Sequence, residues 1–309
     1  MSMQPTRREF LTTAAAGAAA IGLGSAAHAQ EAAAGRTYEI SLAGWSLHRT
    51  IGDGEDKIPM LEMPRLSREE FDIDAIELVS GMLPSSEPDY LEALAANAAE
   101  HDIKILLIMI DGQGNVGSRG EDHRQQAVEN HCRWIDHAEY FGCHSVRMNW
   151  GGAQRGTEHD DALLAEFIER SVGPFRQICD YGDSKNINVL IENHGGPSSY
   201  PHAMEQLMAA VDHPRFGTLP DFGNFPDDVD FYEGIDRLMP FAKAVSAKCY
   251  NFDAETGLET RLDFPRLIEI VCDKHGYDGY IGIEYEGREM SEFEGIKAAK
   301  ALLERLRTA

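Results

Sequence analysis

Positive charge is scarce in this sequence. Lysine and arginine total 28 against 52 aspartates and glutamates, a formal net charge of −24. Such a field repels phosphate backbones and anionic lipid, which argues against nucleic acid or a membrane surface as partner. A small or neutral ligand suits it better. Cysteine is also scarce. The five (Cys132, Cys143, Cys179, Cys249 and Cys272) are odd in number and none has the spacing of a zinc clip. They read as small, partly buried apolar residues rather than a disulfide framework. A glycine-rich phosphate loop is missing: the first apolar strand runs into Gly44-Trp45-Ser46-Leu47-His48-Arg49-Thr50, where a dinucleotide-binding fold places its glycines. Short repeats are missing as well. Beyond the N-terminal region, no apolar run is long enough to span a bilayer.

That N-terminal region carries its own pattern. Thr6-Arg7-Arg8-Glu9-Phe10-Leu11 precedes an Ala/Gly-rich apolar run to Gly24, and Ala27-His28-Ala29 follows. A basic start, a short apolar middle and an Ala-x-Ala site make a secretory signal, and paired arginines before Phe-Leu match the twin-arginine form. The expectation is a cleavable signal over 1–29, a linker over 30–36 and one domain over 37–309. The twin-arginine export machinery is then a partner, and the mature chain begins near Gln30 in a bacterial periplasm or outside the cell.

From Tyr38 onward the chain alternates. Short apolar runs bounded by turn residues lie at 38–43, 73–78, 103–110, 143–150, 187–191, 216–219, 242–248 and 280–285, as buried parallel strands do. Helical patterns fill 89–101, 121–141, 160–181, 201–211, 228–239, 263–275 and 291–307. Several open with Asp, Ser or Pro, which suit helix starts. Eight strands alternating with helices predict a single α/β domain, a (β/α)8 TIM barrel.

In such a barrel the chemistry sits at the C-terminal ends of the strands. Those ends carry Glu77, Asp111, Arg147 with Asn149, Glu192 with His194, Asp221 with Asn224, Ser246 with Lys248, and Glu284. Alternation puts Glu192 and His194 on one face, and Ser246 and Lys248 on another. Three of the acids close strands in similar fashion, each followed by glycine: Ile191-Glu192-Asn193-His194-Gly195-Gly196, Pro220-Asp221-Phe222-Gly223-Asn224 and Glu284-Tyr285-Glu286-Gly287. Converging carboxylates need a cation, a shared proton or a lysine to compensate them. Two Glu, one Asp and water make a hard oxygen site for Mg2+ or Mn2+, and an imidazole would admit Co2+ or Zn2+. A metal there would polarise a sugar carbonyl or hydroxyl while a carboxylate moves the adjacent proton.

The strand rhythm and the series from Glu192 through Asp221 and Lys248 to Glu284 resemble the xylose-isomerase-like TIM-barrel superfamily. Together with Ile40-Ser41-Leu42-Ala43-Gly44-Trp45-Ser46-Leu47-His48 and the Gly142–Gly152 segment, they are similar to its exported sugar phosphate isomerase/epimerase-type proteins. The resemblance runs from Tyr38 to the C-terminus. It implies a divalent metal held by Glu192, Asp221 and Glu284, with the two glutamates as acid and base on either face of a sugar carbon. One position departs. Where the superfamily carries a strand-seven His two residues before a Lys, this chain has Ser246 before Lys248. Metal occupancy is accordingly an open expectation.

The remaining candidates keep two readings each. His194 is a substrate contact or proton shuttle, or a structural hydrogen-bonding group. Lys248 is a substrate-binding cation or the ion-pair partner of the acids. Arg147, Asn149 and Asn224 are expected to hold substrate. Trp45, His48 and Trp150 form a wall for a sugar face or belong to the core. Glu286 and Asp253 are expected to face solvent or stand behind the site. The function expected is a carbohydrate isomerase or epimerase acting by metal-assisted proton transfer next to a carbonyl. A keto-sugar or keto-glycoside lyase or hydratase would use the same acids, and an exported carbohydrate-binding protein that has lost catalysis is the non-enzymatic alternative.

Overall fold

The computed structural model describes residues 35–308; the expected signal (1–29) and nearly all of the expected linker (30–36) lie outside the described residues. Eight strands form: β1 (Glu39–Ala43), β2 (Ala75–Val79), β3 (Lys104–Ile110), β4 (Ser145–Met148), β5 (Asn188–Glu192), β6 (Phe216–Leu219), β7 (Val245–Cys249) and β8 (Tyr280–Tyr285). Every paired neighbour is parallel, in the order β6-β5-β4-β3-β2-β1-β8-β7. The two ends of that sheet meet through parallel bridges, Thr218 with Ala242 and Asp221 with Ser246. The sheet therefore closes into a TIM barrel, as the alternation predicts.

Helices α1 (Met63–Phe71), α2 (Pro88–Glu100), α3 (Glu121–Phe141), α4 (Asp161–Lys185), α5 (Pro201–Val211), α6 (Phe231–Leu238), α7 (Phe264–Ile268) and α8 (Glu292–Arg307) occupy the crossovers. Seven lie within or beside the expected segments. The eighth, α1, was not expected. It is nine residues long, and its apolar contacts come from Met63, Pro64, Leu66 and Phe71 among charged neighbours, too few turns to show a period. The segment expected as one helix over 263–275 widens along its length, with α7 passing into a π-helical stretch at Glu269–Lys274. The seventh strand starts at Val245 rather than Ala242, because Ala242 is spent on the bridge to Thr218.

Two cores result. The large one lies between barrel and helices. The one inside the barrel is small: Ala43, Val79, Leu107, Met109, Leu190, Leu219 and Ala244. The rest of the inner wall is polar, which leaves its upper half free for chemistry. No helix among the described residues is long and apolar enough to cross a membrane.

The last crossover is held to the barrel with little clearance. Ser291 and Glu294 form a reciprocal capping box at the start of α8. One turn on, Gly295 lies against the fully buried Tyr285 ring, so a Cβ there would collide with it. Gly295→Ala is expected to cost about 1–3 kcal/mol, the range for overpacking a closed core. A urea titration checks it: a lower midpoint with an unchanged slope is the expected outcome.

Candidate functional site

The site grows from four neighbouring strand ends. Glu192 is the last residue of β5 and is fully buried. Its Oε1 accepts 2.9 Å from Asn224 Nδ2. Its Oε2 lies 2.7 Å from Arg147 Nε, yet the two atoms are not aligned as a hydrogen bond. Asp221 follows β6 directly after Pro220. The fully buried Asn193 side chain fixes its backbone, with Asn193 Oδ1 accepting from Asp221 N at 2.7 Å and Asn193 Nδ2 donating to Asp221 O at 2.8 Å. Asp221 Oδ1 then accepts from the Gly223 amide at 2.8 Å, and Oδ2 from Ser246 Oγ at 2.7 Å. Glu284, on β8, has Oε1 3.0 Å from Lys248 Nζ and Oε2 3.3 Å from Ser246 Oγ. One carboxylate oxygen from each of Glu192, Asp221 and Glu284 lies within 4.8 Å of the others.

Two cations serve this cluster. Lys248 Nζ also donates to Asn224 Oδ1 at 2.9 Å and stands 3.4 Å from Glu286 Oε1. Arg147 donates to Asp111 Oδ1 at 2.8 Å, and Asn149 Nδ2 donates to the same oxygen at 2.9 Å. Six carboxylates (Glu77, Asp111, Glu192, Asp221, Glu284, Glu286) thus share two positive side chains. Burial adds to the imbalance. Burial pushes Glu192 up to about 7, partly opposed by Arg147. Burial likewise pushes Asp221 up to about 7 against the pull of Lys248. For Lys248 burial acts the other way, but Asp221, Glu284 and Glu192 outweigh it and the ammonium is held raised.

Three buried, converging carboxylates with more negative charge than their partners cancel are what a divalent cation needs. Glu192 Oε2 adds a buried acceptor with no hydrogen bond. The residues present therefore fit a metal ion, with Glu192, Asp221 and Glu284 as its holders. Among the described residues no imidazole or thiol joins that group.

The other candidates fall around the rim. The His194 side chain is exposed, and its backbone amide bonds Ser198 Oγ at 3.0 Å. Protein packed along one side of its ring, together with Arg147 and Lys248, lowers its pKa. It lines an open depression of about 500 Å³ with Glu158, Tyr200, Gly223, Asn224 and Phe225. Trp45 stands half-exposed after β1, stacked on His48 at 4.7 Å, with its indole N–H on Glu286 Oε1 at 2.8 Å. Trp150 is instead a core residue, stacked on Phe167 and bonded to Ser171. Asp253 caps its own exposed turn through Thr256. Glu286 takes the second of its two expected places, behind the site, where it ties Lys248 to Trp45.

Sequence reasoning passed over two residues. Asn193 gave no signal, because an asparagine after a strand reads as a turn. Glu77 was read only as a strand end, yet it is buried inside the barrel, accepts from Ser41 Oγ at 2.6 Å and packs against Gly282, where a Cβ would collide with its carboxylate. The signal was present: one acid at the centre of Ala75-Ile76-Glu77-Leu78-Val79, the pattern that singles out Glu284.

Comparison with known proteins agrees with this frame. A family model described as "Xylose isomerase-like TIM barrel" matches residues 68–309. No curated protein sequence matches the chain. Among solved structures, an L-ribulose 3-epimerase superposes with a TM-score of 0.71 at 13% identity, covering 87% of this chain and 94% of that one. The probable 3-DHS dehydratase AsbF of Bacillus anthracis gives 0.65 at 17%, covering 86% and 98%. A xylose isomerase-like TIM barrel protein of Mycobacterium smegmatis, in complex with magnesium, gives 0.64 at 18%, covering 88% and 97%. At these identities the likeness is one of fold.

Glu77 allows a test of the buried charge. Burial pushes it up to about 7 from an ordinary 4.5, so the folded metal-free chain keeps a proton that the unfolded chain has lost. Stability from this source is complete below about pH 4.5 and is lost as pH rises through about 7. Glu77→Gln keeps an acceptor for Ser41 and removes the titration. Between pH 4.5 and 8 the metal-free wild type should lose roughly 3 kcal/mol more than this variant, measured by denaturant titrations across that range.

Proposed function

Because the chain belongs to the xylose isomerase-like TIM barrel family, we propose that it is a carbohydrate isomerase or epimerase that moves a proton on the carbon next to a sugar carbonyl. The observation that carries this reading is the convergence of Glu192 and Glu284 from separate strands, with Asp221 between them, in the mouth of the barrel. A divalent ion held by these three would supply Lewis-acid stabilisation of the charge that grows on the sugar oxygen. The chain's own groups do the rest. Glu192 and Glu284 take and return the proton. Arg147 and Asn224 hold the two oxygens of Glu192, and Lys248 and Ser246 hold those of Glu284. Trp45, His194 and Asn149 stand where hydroxyls and a ring face of the substrate would rest. The metal's identity among Mn2+, Mg2+, Co2+ and Zn2+ is left to measurement.

A second reading, elimination beside the carbonyl, uses the same acids. It is favoured by the fold shared with the probable dehydratase. Export belongs to the proposal too, resting on Arg7-Arg8 and Ala27-His28-Ala29. A periplasmic address favours unphosphorylated sugars or oxidised glycosides over sugar phosphates.

The test is a screen of keto-sugars and aldoses in heavy water with Mn2+, followed by mass spectrometry. An isomerase takes up solvent deuterium beside the carbonyl at constant carbon skeleton, whereas a lyase loses a fragment or water. Glu192→Gln and Glu284→Gln should each cut turnover about 100-fold or more, as removal of a general acid or base does. No bound metal and no turnover would leave a carbohydrate-binding protein.

A further inference from the structure

Every donor facing the space between Glu192, Asp221 and Glu284 is an oxygen. Three are carboxylates, and the fourth is the hydroxyl of Ser246, 2.7 Å from Asp221 Oδ2 and 3.3 Å from Glu284 Oε2. Ser246 is 1% exposed and projects from β7 into the gap between two of the acids. The neighbouring nitrogens have no lone pair to give. Lys248 Nζ is an ammonium that donates to Asn224 and Glu286 and is paired with Glu284 at 3.0 Å. Arg147 Nε is part of a guanidinium aimed at Glu192, and Asn224 offers Glu192 an amide N–H. The other chemistries are turned away. Cys249 lies on the opposite face of β7 from Ser246 and Lys248, its thiol 3.9 Å from the Glu284 carbonyl oxygen. His194 stands exposed on the rim, outside the converging group.

We propose that Ser246 sets the metal choice of this site by closing an all-oxygen sphere around it, one suited to a hard dication such as Mg2+ or Mn2+. The inference rests on the metal-assisted reading above and adds the ligand chemistry. Carboxylate, hydroxyl and water suit Mg2+ and Mn2+, whereas a single imidazole moves preference toward Co2+, Ni2+ and Zn2+. Position 246 is where such an imidazole would enter. It lies between two of the three carboxylates, on the strand that bridges to Asp221.

The experiment is pulsed electron paramagnetic resonance on the whole folded chain, stripped with chelator and loaded with Mn2+ alone. The expected spectrum shows about one bound ion per chain and no directly coordinated nitrogen. Ser246→His should introduce a nitrogen coupling and shift competition between Mn2+ and Co2+ toward Co2+ by roughly tenfold. Ser246→Ala should bring no nitrogen coupling but should weaken Mn2+ binding several-fold, because the fourth protein oxygen is gone; unchanged Mn2+ affinity in this variant overturns the role given to Ser246. Bound Mn2+ with a nitrogen coupling in the wild type overturns this inference and leaves the metal reading standing. A folded Ser246→His that binds without nitrogen coupling also overturns it. Absence of Mn2+ binding in the folded wild type overturns both. The wild-type spectrum decides even where Ser246→His does not fold.

Discussion

The Lys248 ammonium is almost completely buried, in reach of Glu284, Asn224 and Glu286, and the mouth of the barrel is arranged around it. A charge out of water is costly unless its partners are fixed and its protons used. Here the ammonium donates to Asn224 and Glu286 and is paired with Glu284 at 3.0 Å. Through Asn224 the lysine reaches Glu192, and through Ser246 the same strand reaches Asp221 and Glu284. Strand β7 is thus the electrostatic keystone of the three acids. The bridge from Asp221 to Ser246 that helps close the barrel is also the contact that brings the last acid into the group. Closure of the fold and assembly of the site are one event.

The glycines that follow the acids have their explanation in the same crowding. Gly223 lends its amide to Asp221, and a Cβ on it would come within 3.1 Å of the Lys248 stem and 2.8 Å of Tyr250 Oη. Gly195 follows Glu192 at a φ of 83°, the left-handed region that a side chain would strain. Gly287 follows Glu284 where a Cβ would collide with the Tyr250 carbonyl. Gly282 makes room for Glu77 lower in the barrel. Long polar side chains fill the interior here, so the backbone beside them has to be bare. Acid followed by glycine is therefore a packing rule as much as a turn signal.

This accounts for which parts of the molecule could be read from the sequence. Strands β3 and β5 announce themselves because both faces are buried and their residues are continuously apolar. The acids at their ends stand out against that background. Glu192, Asp221 and Glu284 were legible for that reason, and so was Lys248. Helix α1 was not, because nine residues with a proline near the start carry too little periodicity. Asn193 was not, for a different reason. Its importance lies in what it holds across the barrel, a relation between β5 and the loop after β6. Such relations belong to the closed sheet and have no local trace.

The supports of the two glutamates form matched sets. Each has a cation at one oxygen and a neutral donor at the other: Arg147 and Asn224 for Glu192, Lys248 and Ser246 for Glu284. Asp221 differs, since its partners are the Gly223 amide and the Ser246 hydroxyl, both neutral. A cation beside a carboxylate favours its ionised form, while a neutral donor on the second oxygen fixes its direction. Two acids held alike can exchange roles when a proton leaves one face of a carbon and returns on the other. That interchange is what the proposed epimerisation demands, and a site built for a one-way proton transfer would have no use for it. Asp221 lies in the field of Lys248 without touching it, and burial pushes its carboxyl up to about 7. In the proposed reaction all three carboxylates would hold the ion, and the two with cations beside them, Glu192 and Glu284, would also move the proton.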